Sequence, residues 1–83
     1  MSAADAQPIL AIDAGNTRIK WGVHDGRGWS MTGAVATAES STLHHAWHGA
    51  TLAQRAIASN VAGPTVAHDL HGACEQRGIA LEI

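Results

Sequence analysis

Between Ile9 and His24 the chain reads ILAIDAGNTRIKWGVH, and this stretch narrows the possible folds more than any other. Ile9–Ile12 is apolar at every position, as expected of a central strand covered on both faces. The run ends at Asp13, and Gly15 and Asn16 turn the chain tightly. Arg18–His24 then alternates, with Ile19, Trp21 and Val23 on one side and Arg18, Lys20, Gly22 and His24 on the other. The result is a hairpin with one carboxylate and two cations near its tip.

Asp25-Gly26-Arg27-Gly28 is a second turn signal. Trp29, Met31, Gly33 and Val35 continue on alternate positions, so Trp29–Ala36 is predicted as a third strand of an antiparallel meander. Ser40, Ser41 and Thr42 offer helix N-caps, and Leu43, Ala46, Trp47 and Ala50 mark the stripe of a short helix. Ala56–Ser59 reads as a short buried strand with Asn60 at its exit. Gly63-Pro64 opens a second helix, whose apolar face carries Val66, Leu70, Ala73, Cys74 and Arg77 and which stops at Gly78. Ile79–Ile83 is a fifth strand. The order βββαβαβ implies an α/β fold with a mixed five-stranded sheet, parallel in its second half. It is the order of the ribonuclease H-like half-fold.

Eighty-three residues make one small domain, with residues 1–7 as a loose leader and 8–83 as the folded part. A net charge of -2 argues against a nucleic-acid partner, which needs a basic face. One cysteine excludes an internal disulfide. MSAADAQP has no positive residue and no apolar core, unlike a signal peptide, and no apolar run reaches the ~18 residues of a membrane span. A cytoplasmic location without membrane contact is expected. The strand-like Ile79–Ile83 has no turn or polar tail after it, as expected of the front piece of a longer polypeptide.

The hairpin tip carries the chemistry. Gly15 permits positive φ and close approach of a ligand oxygen to the backbone. Asn16 also tolerates the left-handed region. Successive N–H groups in such a turn form an anion-binding concavity. Thr17 adds a hydroxyl, and Lys20 can bring an ammonium to a terminal phosphate. Asp13 repels a bare phosphate, so its place there makes sense with Mg²⁺, or water on Mg²⁺, in between. Asp-x-Gly-Asn also occurs in ordinary hairpins. Here it follows a fully apolar strand, precedes two cations, and opens the half-fold order.

IDAGNTRIKWG resembles the first phosphate motif of the type III pantothenate kinases, members of the acetate and sugar kinase/Hsp70/actin superfamily. The Lys-Trp-Gly continuation is similar to the proteobacterial branch, which includes proteins named Bvg accessory factors. The resemblance implies the N-terminal part of an actin/Hsp70/sugar-kinase-like domain. It implies transfer of the ATP γ-phosphate to pantothenate in coenzyme A synthesis, with Mg²⁺ and K⁺ or NH₄⁺, in a homodimer. Asp13, Ala14, Gly15, Asn16, Thr17, Arg18, Ile19 and Lys20 become the ATP-phosphate segment, with Asp13 at the metal. Family members carry a second domain that supplies the general base and the rest of the pocket. The expectation is therefore an N-terminal fragment, inactive alone. A non-catalytic nucleotide-binding or regulatory module is the alternative, and a plain interaction domain the third reading.

Asn60 is a candidate substrate-side residue, or else a cap for the helix at Gly63–Pro64. His44 and His48, and His68 and His71, have helix-face spacing, but without a Cys or Glu set they read as solvated. Trp21, Trp29 and Trp47 read as core, Cys74 as a buried inert thiol, and Arg55 and Arg77 as solvated. Asp25, in a surface turn, and Asp69, on a helix, are not expected at the site.

Overall fold

The computed structural model describes residues 7–47 and 53–83. Its elements are β1 (Ile9–Ala14), β2 (Arg18–His24), β3 (Trp29–Ala36), a 3₁₀ segment (Thr37–Thr42), α1 (Leu43–Ala46), β4 (Arg55–Asn60), α2 (Pro64–Gln76) and β5 (Ala80–Glu82). They build one five-stranded sheet in the order β3-β2-β1-β4-β5. β1–β2 and β2–β3 are antiparallel, and β1–β4 and β4–β5 are parallel. The predicted order and mixed pairing are those observed.

Alternation sorts the sheet into two faces. Leu10, Ile12 and Ala14 of β1, Ile19, Trp21 and Val23 of β2, and Ala56 and Ala58 of β4 are buried in one cluster with Leu43, Trp47, Val66, Leu70, Ala73, Cys74 and Ile79 from the helical side. The other face carries Asp13, Lys20, Ile57 and Ser59, all exposed. The indoles of Trp21 and Trp47 meet edge to face at 5.9 Å inside the core. A buried aromatic pair of this geometry adds roughly 0.5–1.5 kcal/mol beyond its area.

α2 has a start and a stop with clear physical causes. Gly63 adopts φ 101° at the N-cap, and Pro64 follows in the first turn, where its missing donor is harmless. At the other end Gly78 has φ 67°. Ile79 N–H donates to the Cys74 carbonyl at 2.9 Å and Gly78 N–H to the Glu75 carbonyl at 3.1 Å. These two bonds make a Schellman stop. Ile79 is thereby folded back into the core beside Cys74, and the chain enters β5.

Several sequence expectations change. Trp29 is 59% exposed, not core. A register shift near Val23/His24 pairs His24 with Trp29 and Val23 with Met31, so Ser30 is an extra residue in β3. One extra residue reverses the face of everything before it. Trp29 therefore lies on the uncovered face, with His24 edge-on at 5.1 Å. Ser40 and Ser41 lie inside the 3₁₀ segment, and Thr42 occupies the N-cap of α1 without a side-chain cap bond. Ala46 is exposed. Ala50 and His48 lie outside the described residues. β1 continues through Asp13 to Ala14, β4 gains Arg55 and Asn60, and β5 shortens from Ile79–Ile83 to the three-residue edge strand Ala80–Glu82. Arg77 is half-buried and donates to the Trp47 carbonyl. No described helix is long and apolar enough to cross a membrane.

Candidate phosphate site at the β1–β2 turn

Register brings the polar groups together. Asp13 pairs with Lys20 across the antiparallel β1–β2 ladder and with Ser59 across the parallel β1–β4 ladder. All three side chains are exposed on the face away from the helices. Directly opposed residues on one face have Cβ atoms about 5 Å apart, so a carboxylate, an ammonium and a hydroxyl share one patch. Arg18 is exposed at the start of β2 on the same alternation. The patch closes one end of an open trough of about 850 Å³ whose walls include Ala11, Gly22, Trp29 and Ile57.

The turn beyond Asp13 is braced from both sides. Gly15 N–H donates to the Arg18 carbonyl at 2.9 Å. The Thr37 hydroxyl donates to the Gly15 carbonyl at 2.7 Å, and Thr37 N–H to the Thr17 carbonyl at 2.9 Å. From β4, Val61 N–H donates to the Ala14 carbonyl at 3.0 Å. Asn16 and Thr17 are exposed, and among the described residues their N–H groups find no protein acceptor. Two unspent backbone donors at a fixed, solvent-facing tip are suited to anion oxygens.

Gly15 does not adopt positive φ, nor does Asn16. The glycine serves close approach instead: a Cβ there would stand 3.3 Å from the Arg18 carbonyl oxygen. Ala14 and Ile19 are wholly buried under the helices. Their side chains anchor the hairpin from below, which leaves their backbone as the part of the phosphate segment they can contribute.

Asn60 is half-buried, and its amide is spent on its own loop. Its Nδ2 donates to the Gly63 carbonyl at 3.0 Å, and its Oδ1 accepts from Ala62 N–H at 2.9 Å. It braces the entry to α2 without capping it, since Gly63 occupies the N-cap with no side-chain bond. Ser59 is the β4 residue beside Asp13, and Thr37 is the outside brace of the turn. Thr37 carries no local sequence signal for this place, because it depends on the pairing of strands distant in the chain.

The remaining candidates lie elsewhere. Asp25 sits in the turn at the opposite end of β2, where the N–H groups of Arg27 and Gly28 hold its carboxyl below the usual range. Asp69 accepts a 2.6 Å bond from the Ser40 hydroxyl. Burial pushes the Cys74 thiol up to about 11. His68 and His71 are exposed, and no group of three metal-ligating side chains exists among the described residues.

The element order, sheet order and braced first turn define the class: the N-terminal half-fold of an actin/Hsp70/sugar-kinase-like domain. A family model for type III pantothenate kinase matches residues 9–82. A type III pantothenate kinase of Nitrosospira multiformis is 45% identical over 58 residues, covering 70% of this chain and 22% of its own length. One from Dechloromonas aromatica is 49% identical over 55 residues, covering 66% and 23%. One from a Janthinobacterium species is 43% identical over 75 residues, covering 82% and 27%. The chain belongs to the type III pantothenate kinase family. It spans about a quarter of the length of these curated relatives.

Proposed function

We propose that this chain is the first phosphate-binding half of a kinase that transfers the γ-phosphate of ATP to pantothenate, in the cytoplasmic synthesis of coenzyme A. The observation that carries this reading is the pair of unspent N–H groups at Asn16 and Thr17, fixed beside Asp13 and Lys20. In phosphoryl transfer the protein positions the phosphate chain and neutralises charge, and those two tasks suit this tip. The Asn16 and Thr17 amides and the Thr17 hydroxyl hold phosphate oxygens. Lys20, from the neighbouring strand, offsets the charge of the polyphosphate.

Asp13 needs a cation between itself and the phosphates. A single exposed carboxylate with a neighbouring hydroxyl is a poor all-protein cage but suits hydrated Mg²⁺, which keeps several waters and shares its coordination with substrate phosphate. Bound there, Mg²⁺ would neutralise charge on the phosphate oxygens. The general base, the remaining nucleotide contacts, the K⁺ or NH₄⁺ site and the homodimer contact belong, in this reading, to the length that the relatives have beyond the matched part. The chain alone is then inactive as a kinase.

The test is transfer of labelled γ-phosphate to pantothenate by a protein joining this half to the remaining length of a relative. Asp13→Asn should lower turnover by about 100-fold or more, the range for removing one preorganised electrostatic partner of the transition state. Thermal stability should stay nearly unchanged, because Asp13 is exposed. Unchanged turnover would remove Asp13 from the mechanism.

A further inference from the structure

We propose that Thr37, at the exit of β3, is the positioning residue that aims the β1–β2 turn at its ligand; the proposal rests on the reading of that turn as a phosphate site. Thr37 grips the turn twice, through its hydroxyl on the Gly15 carbonyl at 2.7 Å and its N–H on the Thr17 carbonyl at 2.9 Å. No peptide bond in the described residues is cis. In a trans peptide the carbonyl and the N–H of the same unit point in opposite directions. The Gly15 carbonyl shares its unit with Asn16 N–H, and the Thr17 carbonyl shares its unit with Arg18 N–H. Drawing both carbonyls toward Thr37 turns those two N–H groups away from it.

The bonds that are missing from the turn support the same conclusion. A two-residue hairpin turn is ordinarily closed by the first residue's carbonyl accepting from the fourth residue's N–H. Here Gly15 N–H bonds the Arg18 carbonyl, but the reciprocal bond from Arg18 N–H to the Gly15 carbonyl is not made. The Thr37 hydroxyl holds that carbonyl instead. Without it the carbonyl is free to swing in and accept from Arg18 N–H, which rotates its peptide unit and takes Asn16 N–H off the ligand. Thr37 thus keeps the tip open, although it lies twenty-two positions along the chain from Gly15.

Three variants of this chain separate aim from stability. Thr37→Ser keeps the hydroxyl, and Thr37→Val removes it with little change of shape. Thr42→Val removes a hydroxyl that makes an equally short 2.7 Å bond, to the Glu39 carbonyl, away from the turn. Mg·ATP is titrated into each ¹⁵N-labelled protein while the amide shifts of Asn16, Thr17 and Arg18 and the melting temperature are followed. Thr37→Ser should bind within about twofold of the unsubstituted chain. Thr37→Val should bind about tenfold more weakly, with the Arg18 amide shifted before any ligand is added, a change equivalent to about one net hydrogen bond. Thr42→Val should bind normally even with a similar drop in melting temperature. If the unsubstituted chain responds and Thr37→Val binds as tightly, the role of Thr37 is overturned while the phosphate site stands. If the unsubstituted chain shows no response at the tip, the phosphate site itself is overturned, and this proposal falls with it.

Discussion

Asp13 and Lys20 stand opposite each other in the β1–β2 register, on the sheet face away from the core. Opposed charges at directly paired positions contribute only about 0.2–1 kcal/mol to a sheet. The same two groups at the mouth of an unspent amide turn are better suited to a polyphosphate and its cation. The Mg²⁺ dependence of ATP binding is the expected signature. Calorimetric titration should show tighter ATP binding with Mg²⁺ than with EDTA. In Asp13→Asn that gain should disappear, with unfolding free energy changed by about 0.5 kcal/mol or less, as for exposed substitutions. A gain that survives in Asp13→Asn would place the metal elsewhere.

Two tryptophans each lie over a glycine of the neighbouring strand, on opposite faces of the sheet. A Cβ on Gly33 would come 2.6 Å from Cζ2 of the buried Trp21, and one on Gly22 would come 2.6 Å from Cε3 of the exposed Trp29. The contacts are alike, but the freedom to yield is not. Gly33→Ala should destabilise by about 1–3 kcal/mol, the cost of overpacking a core. Gly22→Ala should cost less than about 1 kcal/mol, because Trp29 can swing into solvent and alanine restricts the unfolded chain. Urea unfolding of both variants checks the order.

The glycines of α2 and its stop should respond with opposite signs. Gly72 lies inside the helix, and a Cβ there meets nothing within 4 Å. Gly72→Ala should stabilise by about 0.5–1 kcal/mol through helix propensity. Gly78 has φ 67° in the Schellman stop. Gly78→Ala should destabilise by about 1 kcal/mol, the penalty for a Cβ in the left-handed region. Melting curves of the two variants should fall on either side of the unsubstituted protein.

Cys74 gives a pH dependence of known sign. Its thiol is raised from 9.0 to about 11 by burial. Between those values the unfolded chain releases the proton while the native chain keeps it, so stability falls as pH rises through that window. Cys74→Ala should flatten that part of the stability curve, and native Cys74 should resist alkylation until the chain unfolds. Equal slopes in the two proteins would show that the thiol titrates normally.

The hairpin, the meander and the α-β crossovers were legible because alternation and turn chemistry are local. Ile19, Trp21 and Val23 could be assigned to the core side from spacing alone, and they are buried there. Trp29 could not, because a single extra residue at Ser30 reverses its face and leaves no mark on the alternate apolar positions. Ser40 and Ser41 look like caps by composition, yet the chain leaves β3 directly into a 3₁₀ segment. Of the two properties glycine offers at position 15, positive φ is not used, and the close approach it permits is to the Arg18 carbonyl. Thr37 reaches the turn only through strand pairing, which single-strand patterns do not encode. Arg77 looked solvated because its acceptor, the Trp47 carbonyl, lies thirty positions away in the chain.

Nucleotide phosphates at the first turn of this sheet can be sought residue by residue, in an amide map of the ¹⁵N-labelled chain on addition of millimolar Mg·ATP. The largest shifts should fall at Asn16 and Thr17, with a smaller one at Lys20 and none at Gly26 in the turn at the far end of β2. Shifts confined to the Trp29 end of the open face, or none at Asn16 and Thr17, would contradict phosphate binding at this turn.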